Sequence, residues 1–190
     1  KERARASRGD LQSMGTQMID LMNFKDYSEF TYDEQGLTAT VIGVFKDGKK
    51  VESIDEEGEI IFDITNFYAL SGGQVSDIGS IENDNTSCEV YNVIKASNKQ
   101  HLHFVKVRYG EVKVGDKFTL KIDLPRRHRI KRNHSCAHLL QKALQTVLGS
   151  HVHQHGSQVS STYCRFDFNN FNSLTDEEIL KVEDLVNEYI

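Results

Sequence analysis

The sequence has little of what marks several specialised classes of protein. Its 190 residues include one proline and no tryptophan, and 38% are hydrophobic and 27% charged. This composition is typical of a globular chain and excludes collagen, a coiled coil and intrinsic disorder. No apolar run approaches the roughly 18 residues of a membrane span, and the charged start lacks the apolar core of a signal peptide. We therefore expect a soluble protein with no membrane partner.

Cysteine is also scarce. Cys88, Cys136 and Cys164 are odd in number and far apart in the chain, which predicts free thiols rather than a disulfide framework. Free thiols are typical of the reducing cytosol, so we expect a cytoplasmic location.

The chain has no overall excess of positive charge. Its formal net charge of −5 at pH 7 argues against a domain that binds nucleic acid over its whole surface. Positive charge is nevertheless concentrated in one short run: Arg126, Arg127, Arg129, Lys131 and Arg132. A local phosphate-binding surface and an ordinary solvated helix start both account for this run.

The spacing of apolar residues divides the chain into three parts. Residues 1–30 carry apolar residues at spacings of three and four, which predicts an amphipathic linker helix. Residues 31–125 alternate with a period of two, which predicts a small antiparallel β-barrel. Residues 126–190 combine helical and strand patterns and predict a second, α+β subdomain. The expected fold class is therefore α+β, with a histidine-bearing helix packed on a sheet.

Particular runs carry these expectations. In the barrel the predicted strands are Leu37–Phe45, Glu59–Asp63, Cys88–Ile94, His101–Val107 and Lys117–Ile122. In the second subdomain we expect a helix from Arg129 to Gly149, a strand over Ser160–Phe168, and a last helix capped by Ser173 or Thr175. The absence of an initiator methionine and of a C-terminal cap at Ile190 predicts a segment cut from a longer protein.

The sharpest local feature is His134-Ser135-Cys136-Ala137-His138 in the predicted helix. Residues four apart lie on one helical face, so two imidazoles can reach a single zinc ion, each at about 2.1 Å. Two polar side chains on an ordinary helix give the same pattern. Cys136 points elsewhere on the helix, and its interpretation is a core residue rather than a ligand.

A zinc site needs more ligands than this pair. The chain offers His151, His153, His155 and Cys164, but none has a spacing typical of a ligand.

Two polar stretches contain candidate binding residues. Gly72-Gly73-Gln74 allows close approach of a ligand to the backbone, although a hairpin turn is the favoured interpretation. Gln154 and Ser157 lie beside another glycine, Gly156, and supply hydrogen-bonding groups.

Taken together, five ordered motifs resemble the editing domain of alanyl-tRNA synthetases and of free-standing alanyl-tRNA deacylases. They are FYxxSGGQxxDxG from Phe67, HxxxHLL from His134, ALxxVLGxHVxQxGSxV from Ala143, RFDF from Arg165, and LTxEExxxVExxVNxxI from Leu174. The charged start, Arg3 to Ala6, resembles the connection that precedes this domain in the synthetase, so the expected partner in cis is the rest of a synthetase chain.

The resemblance implies roles for the candidate residues. His134 and His138 would bind Zn²⁺ together with a CxxxH pair located beyond Ile190, so zinc binding by this segment alone is expected to be weak. The implied activity is hydrolysis of the ester in seryl- or glycyl-tRNA(Ala). Gln154 would contact the substrate, Ser157 would line the pocket with Gly72, Gly73 and Gln74, and the five cations would hold the acceptor end of tRNA(Ala).

Two positions depart from the family pattern. Ala137 stands where threonine is usual, and Leu70 where glutamate is frequent. The alternatives that remain are a free-standing deacylase, a tRNA-binding module without catalysis, and an unrelated metallohydrolase. The last is the least favoured, because the HxxxH motif of this sequence lacks the glutamate that follows the first histidine in zinc proteases.

Overall fold

The computed structural model describes residues 19–96 and 98–189 of the chain. These residues divide into two compact units. Unit 1 contains the described residues up to Leu70 together with Ser76–Asp123, and unit 2 contains Ser71–Val75 together with the described residues from Leu124 onward. Most of the predicted N-terminal linker helix lies outside the described residues.

The elements are as follows. In unit 1 they are α1 (Ile19–Asn23), β1 (Glu29–Phe30), β2 (Leu37–Lys46), β3 (Lys49–Lys50), β4 (Ser53–Ile54), β5 (Glu57–Phe62), β6 (Ile64–Thr65), β7 (Gly79–Glu82), β8 (Ser87–Lys95), β9 (His101–Tyr109), β10 (Val112–Lys113) and β11 (Lys117–Ile122). In unit 2 they are α2 (Leu124–Leu148), β12 (Gln154–Val159), β13 (Cys164–Phe168) and α3 (Asp176–Tyr189).

Unit 1 is built around a closed barrel. Within its described residues, six antiparallel strands pair in the order β2, β11, β7, β8, β9 and β5, and β5 pairs with β2 to complete the circle. Every second side chain of a barrel strand points inward, which explains the period-two alternation of apolar residues in the sequence. The predicted barrel is confirmed.

The described part of the barrel core is mainly apolar and includes a buried polar pair, His103 and Thr65. Its fully buried side chains include Val41, Ile60, Phe62, Phe67, Ile81, Val90, Val105, Phe118 and Leu120. His103 is buried among them, where its Nδ1 donates to the Ile60 carbonyl at 3.2 Å and its Nε2 accepts from the Thr65 hydroxyl at 2.8 Å. These two bonds satisfy the neutral ring.

The described part of the predicted linker helix is α1, which packs on the outside of the barrel. Leu21 and Phe24 pack against Phe45 and Leu102, and the Asn98 amide donates to the carbonyls of Leu21 and Phe24, at 2.9 Å in each case. These contacts hold the end of α1 on unit 1.

Unit 2 consists of two helices and a two-stranded antiparallel hairpin. The long helix α2 packs against β12, β13 and α3 around a small core of Ala143, Leu144, Val152 and Val182. Thr175 caps α3: its hydroxyl accepts from the Glu178 amide at 3.3 Å, and the Glu178 carboxylate accepts from the Thr175 amide at 2.8 Å. Of the two residues offered by the sequence, Thr175 is the cap.

A tight turn from earlier in the chain completes unit 2. Ser71 and Gln74 exchange two backbone hydrogen bonds of 3.2 and 2.9 Å around Gly72 and Gly73, whose φ angles are +58° and +82°. Only glycine adopts two such angles at little cost. The hairpin-turn interpretation is confirmed.

Two local predictions were wrong. The long helix begins at Leu124 rather than Arg129, because Pro125 lacks the amide hydrogen that the first turn leaves unpaired anyway. The predicted strand Ser160–Phe168 is half turn, since the Ser160 amide donates to the Tyr163 carbonyl and β13 starts at Cys164. The sequence argument also missed two longer strands, β7 and β12, and the two-residue strands β1, β3, β4, β6 and β10.

The residues that the structure describes contain no helix long and apolar enough to cross a membrane.

Burial of histidine predicts a pH dependence for unit 1. Burial lowers the pKa of His103 to about 3 and that of His101 to about 4. Between these values and the ordinary pKa of about 6.5, the unfolded chain binds protons that the folded chain does not, so the free energy of unfolding must fall as the pH drops through this window. By urea titration, His103→Leu should lower the slope by up to about 1.4 kcal/mol per pH unit. An unchanged slope in His103→Leu would contradict the account.

The glycine turn allows a matched comparison. A Cβ at Gly73 would lie 2.4 Å from the Ser157 carbonyl oxygen, whereas one at Gly72 meets nothing within 4 Å. Both substitutions carry a positive-φ penalty, and only Gly73→Ala adds a clash. We expect Gly72→Ala to destabilise unit 2 by about 1 kcal/mol and Gly73→Ala by about 3 kcal/mol or more in denaturant titrations. Equal losses would show that the turn does not pack on β12.

Candidate functional site

Two histidines on α2 form the centre of the candidate site. His134 and His138 lie one turn apart, with ring centroids separated by 5.0 Å and ring planes inclined by 43°. His134 is half-buried and His138 is exposed. Residues four apart on a helix face the same way, so both rings are available to one ligand.

A glutamine from the tight turn fixes the first of these rings. The Nδ1–H of His134 donates to Oε1 of Gln74 at 2.7 Å. With Nδ1 holding the proton, Nε2 is left with its lone pair for a ligand. The sequence argument assigned Gln74 to a substrate pocket and missed this contact, since no local signal relates residues that are 60 positions apart.

The turn is held in place by β12. The Val159 amide donates to the Gly73 carbonyl at 2.8 Å, and the Val75 amide donates to the Val159 carbonyl at 3.0 Å. The close backbone approach that Gly73 permits is therefore to Ser157, its neighbour on this strand. The pairing of the turn with β12 therefore places the Gln74 side chain beside His134.

The same strand carries the second polar pair. The Gln154 side-chain amide donates to the Ser157 hydroxyl at 3.1 Å. Gln154 is exposed and Ser157 is half-buried beside the turn. The arrangement brings all five predicted pocket residues into unit 2: Gly72, Gly73, Gln74, Gln154 and Ser157.

The chemistry of this cluster is that of uncharged donors and acceptors beside two imidazoles. It suits a polar, hydrogen-bonding ligand and a borderline metal ion such as zinc, for which neutral imidazole is a common ligand. His134 and His138 would supply two neutral imidazole ligands to a zinc ion, which needs further ligands to complete its site. Among residues 19–96 and 98–189, no group of three histidine, cysteine or acidic side chains is arranged to hold a metal.

The other ligand candidates have different neighbours. His151 Nε2 lies 2.9 Å from the Asn170 side-chain oxygen, and its ring packs on Phe171. Cys164 packs against the apolar cluster of Ile130, Ala137 and Val159, and His153 is exposed.

Two side chains that the sequence argument missed hold the helix over the hairpin. The Asn133 amide donates to the Ser160 carbonyl at 2.8 Å, and the Gln145 amide donates to the Val152 carbonyl at 3.0 Å. They fix α2 against both ends of β12 and so fix the position of His134. An amide on a helix surface carries no sequence signal of such a role.

The predicted phosphate-binding cations all lie in the first turns of α2. Arg129, Lys131 and Arg132 are exposed and Arg126 is half-buried, whereas Arg127 is only 6% exposed. The accessible positive charge of this run is therefore carried mainly by three side chains.

The two departures from the family pattern have different surroundings. Ala137 is 8% exposed and packs in an apolar cluster with Ile130 and Val159. Leu70 is 53% exposed and belongs to unit 1.

Comparison with known proteins assigns the family. Residues 1–126 match the family described as tRNA synthetases class II (A). The whole chain aligns with alanine–tRNA ligases of Geobacillus thermodenitrificans at 46% identity, Lactobacillus johnsonii at 48% and Listeria innocua at 42%. In each case the chain spans 22% of the relative's length. The match over residues 1–126 and the identity that extends through the histidine helix show that the chain belongs to the class II (A), or alanyl, tRNA synthetase family.

Proposed function

We propose that this chain is the editing portion of an alanine–tRNA ligase and that it hydrolyses the ester of seryl- and glycyl-tRNA(Ala). The observation that carries the proposal is the cluster of unit 2, in which Gln74 orients His134 while Gln154 and Ser157 lie on the strand that holds the turn. The proposed parent is an ATP-dependent ligase in the cytoplasm, and this chain is its correcting site.

A correcting site compensates for a physical limit on the selectivity of the synthetic reaction. A pocket that accepts alanine cannot exclude the smaller glycine and rejects serine only weakly, because one small group changes binding by only about 1–3 kcal/mol. A second site that tests the product supplies the missing discrimination. Its specificity must come from polar groups that the serine hydroxyl satisfies and that alanine leaves without a hydrogen-bond partner.

The polar pair on β12 is suited to this discrimination. The Gln154 amide already donates one hydrogen to Ser157, and its second hydrogen and its carbonyl oxygen are available to a substrate hydroxyl. A seryl group would satisfy them, whereas an alanyl group would displace water without replacing its hydrogen bonds. Glycine would enter by size alone.

The histidine pair has a separate role. His134 and His138 would hold zinc through the free nitrogens of their rings, with the remaining ligands supplied from elsewhere in the ligase. Zinc, when bound, would supply a Lewis acid that polarises the ester carbonyl or activates water. Gln74 keeps the proton of His134 on Nδ1, and the backbone of the turn keeps Gln74 in reach.

The basic run would bind the RNA. Arg129, Lys131 and Arg132 are exposed in the turns that precede His134, so they can neutralise phosphates near the acceptor end. Arg127 is left out of this role because it is buried.

Deacylation assays with the full-length ligase test the proposal. We expect hydrolysis of seryl-tRNA(Ala) to exceed that of alanyl-tRNA(Ala), and His134→Ala or His138→Ala to slow it at least about 100-fold through loss of the metal or its orientation. Gln154→Ala should act mainly on the ratio of the serine to the alanine rate.

The matched control is His153→Ala, which removes an exposed histidine of the same unit and should leave the rate unchanged. Wild-type protein that binds tRNA but hydrolyses neither ester would contradict the editing proposal and favour a binding module.

Metal content gives an independent prediction. By elemental analysis we expect well under one zinc per chain in the 190-residue segment and about one in the full-length ligase. In the full-length protein, Gln74→Leu should weaken zinc binding about 10- to 100-fold, because His134 loses the acceptor that fixes its tautomer. Gln74→Glu keeps an acceptor oxygen and should retain the metal. Equal affinity in Gln74→Leu and the wild type would exclude the positioning role.

A further inference from the structure

An exposed aromatic ring in unit 2 has no part in the editing chemistry proposed above. Phe171 lies between β13 and α3 and is 86% exposed, more than any other large apolar residue of the described chain. One face of its ring packs on the His151 imidazole, with ring centroids 4.9 Å apart and ring planes inclined by 31°. The opposite face is therefore open to a flat partner.

Hydrogen bonds hold the loop that carries this ring. The Asn169 side-chain oxygen accepts from the His153 amide at 2.7 Å, and the Asn169 side-chain amide donates to the His151 carbonyl at 2.9 Å. The Nε2 of His151 lies 2.9 Å from the Asn170 side-chain oxygen. These bonds order both the loop and the imidazole beneath Phe171, so little conformational freedom would be lost when a partner stacks on the ring.

Phe171 lies at the end of the hairpin where Gln154 begins β12. Gln154 pairs with Phe168, and it follows His151, on which Phe171 packs, by three residues. Three residues span at most about 11 Å. The proposed substrate carries its ester on the ribose of the last tRNA nucleotide, so the base of that nucleotide must lie close to the groups that contact the amino acid. An aromatic ring at this end of the hairpin is within reach of that base.

The charge of the loops beside the ring also suits an RNA. Residues 149–155 and 168–175 contain no aspartate or glutamate, although the chain has 28 of these acids. A ligand that carries phosphates therefore meets no carboxylate from either loop. An aromatic ring stacks on any base, because every base has a π face.

We propose that Phe171 is a stacking platform for the terminal adenine of the tRNA while the ester lies at Gln154. This inference rests on the proposed editing function and adds to it a residue that binds the nucleotide carrying the ester. The stack runs from the His151 ring through Phe171 to the base. It positions the end of the RNA without contacting the amino acid, so it acts equally on seryl- and glycyl-tRNA(Ala).

Deacylation by the full-length ligase tests the stack from both of its sides. Phe171→Ala should lower kcat/KM about 10-fold or more for seryl-tRNA(Ala), and by the same factor for glycyl-tRNA(Ala). Removal of the terminal base alone, with the ester kept, should lower the wild-type value by a similar factor. Phe171→Ala should then cause no further loss on the abasic substrate, because both changes delete one contact. An unchanged rate in Phe171→Ala, or losses that multiply, would overturn the proposal.

Further variants separate stacking on a base from packing against another part of the ligase. Phe171→Tyr and Phe171→Trp keep a stacking ring and should retain most of the rate, whereas Phe171→Leu keeps only apolar bulk and should lose rate as Phe171→Ala does. The matched control is Tyr163→Ala, which removes a 48% exposed ring at the other end of the hairpin and should leave the rate unchanged. Full activity in Phe171→Leu, or an equal loss in Tyr163→Ala, would overturn the proposal.

A fluorescence measurement keeps this test separate from the test of editing. The tRNA ends in 2-aminopurine, whose emission falls on stacking, and carries serine through a stable amide, while an unreactive alanyl-adenylate analogue fills the site of ligation. Wild-type ligase should quench the emission, and Phe171→Ala should quench it less. Equal emission with the two proteins would overturn the stack even where seryl-tRNA(Ala) is hydrolysed. Quenching that depends on Phe171 would support the stack even where no ester is hydrolysed.

Discussion

The candidate site depends on one strand pairing, in which the turn Ser71–Gln74 joins β12. The backbone bonds between Gly73, Val75 and Val159 are the means by which a short piece of chain from the barrel region becomes part of unit 2. Two glycines with positive φ allow the turn, and the missing side chain at Gly73 allows it to pack on Ser157. Without this pairing Gln74 would not reach His134, and the two halves of the cluster would not meet.

The long helix α2 carries the other candidate functional residues one after another along its axis. Its first turns carry the exposed cations, its middle carries the two histidines, and its last turns carry the apolar residues that pack on α3. Arg129 and His138 are separated by about 14 Å along such a helix, which is compatible with phosphates held at one end and a reacting group at the other. The hydrogen bonds of Asn133 and Gln145 keep this axis fixed on the hairpin.

Much of the fold follows from the sequence because it is encoded locally. The period-two alternation predicts the barrel, and the candidate caps Ser173 and Thr175 before a run of acidic residues predict the start of α3. The strand Gly79–Glu82 was missed because four residues with a single fully buried side chain, Ile81, give too short a pattern. The sequence predicted a set of candidate site residues but not how these residues are arranged in space. The bond between Gln74 and His134 and the burial of Arg127 both depend on tertiary packing, which leaves no trace in residue spacing.

The most direct test of this account is the tautomer of His134, which ¹⁵N NMR reports from the two ring nitrogens of the neutral imidazole. The account predicts a protonated Nδ1 and an unprotonated Nε2 in the wild-type chain, and loss of this preference in Gln74→Leu. A proton on Nε2 in the wild type, or the same tautomer with and without Gln74, would contradict it. The turn would then be a structural neighbour of the histidine helix and not the element that prepares it to bind a ligand.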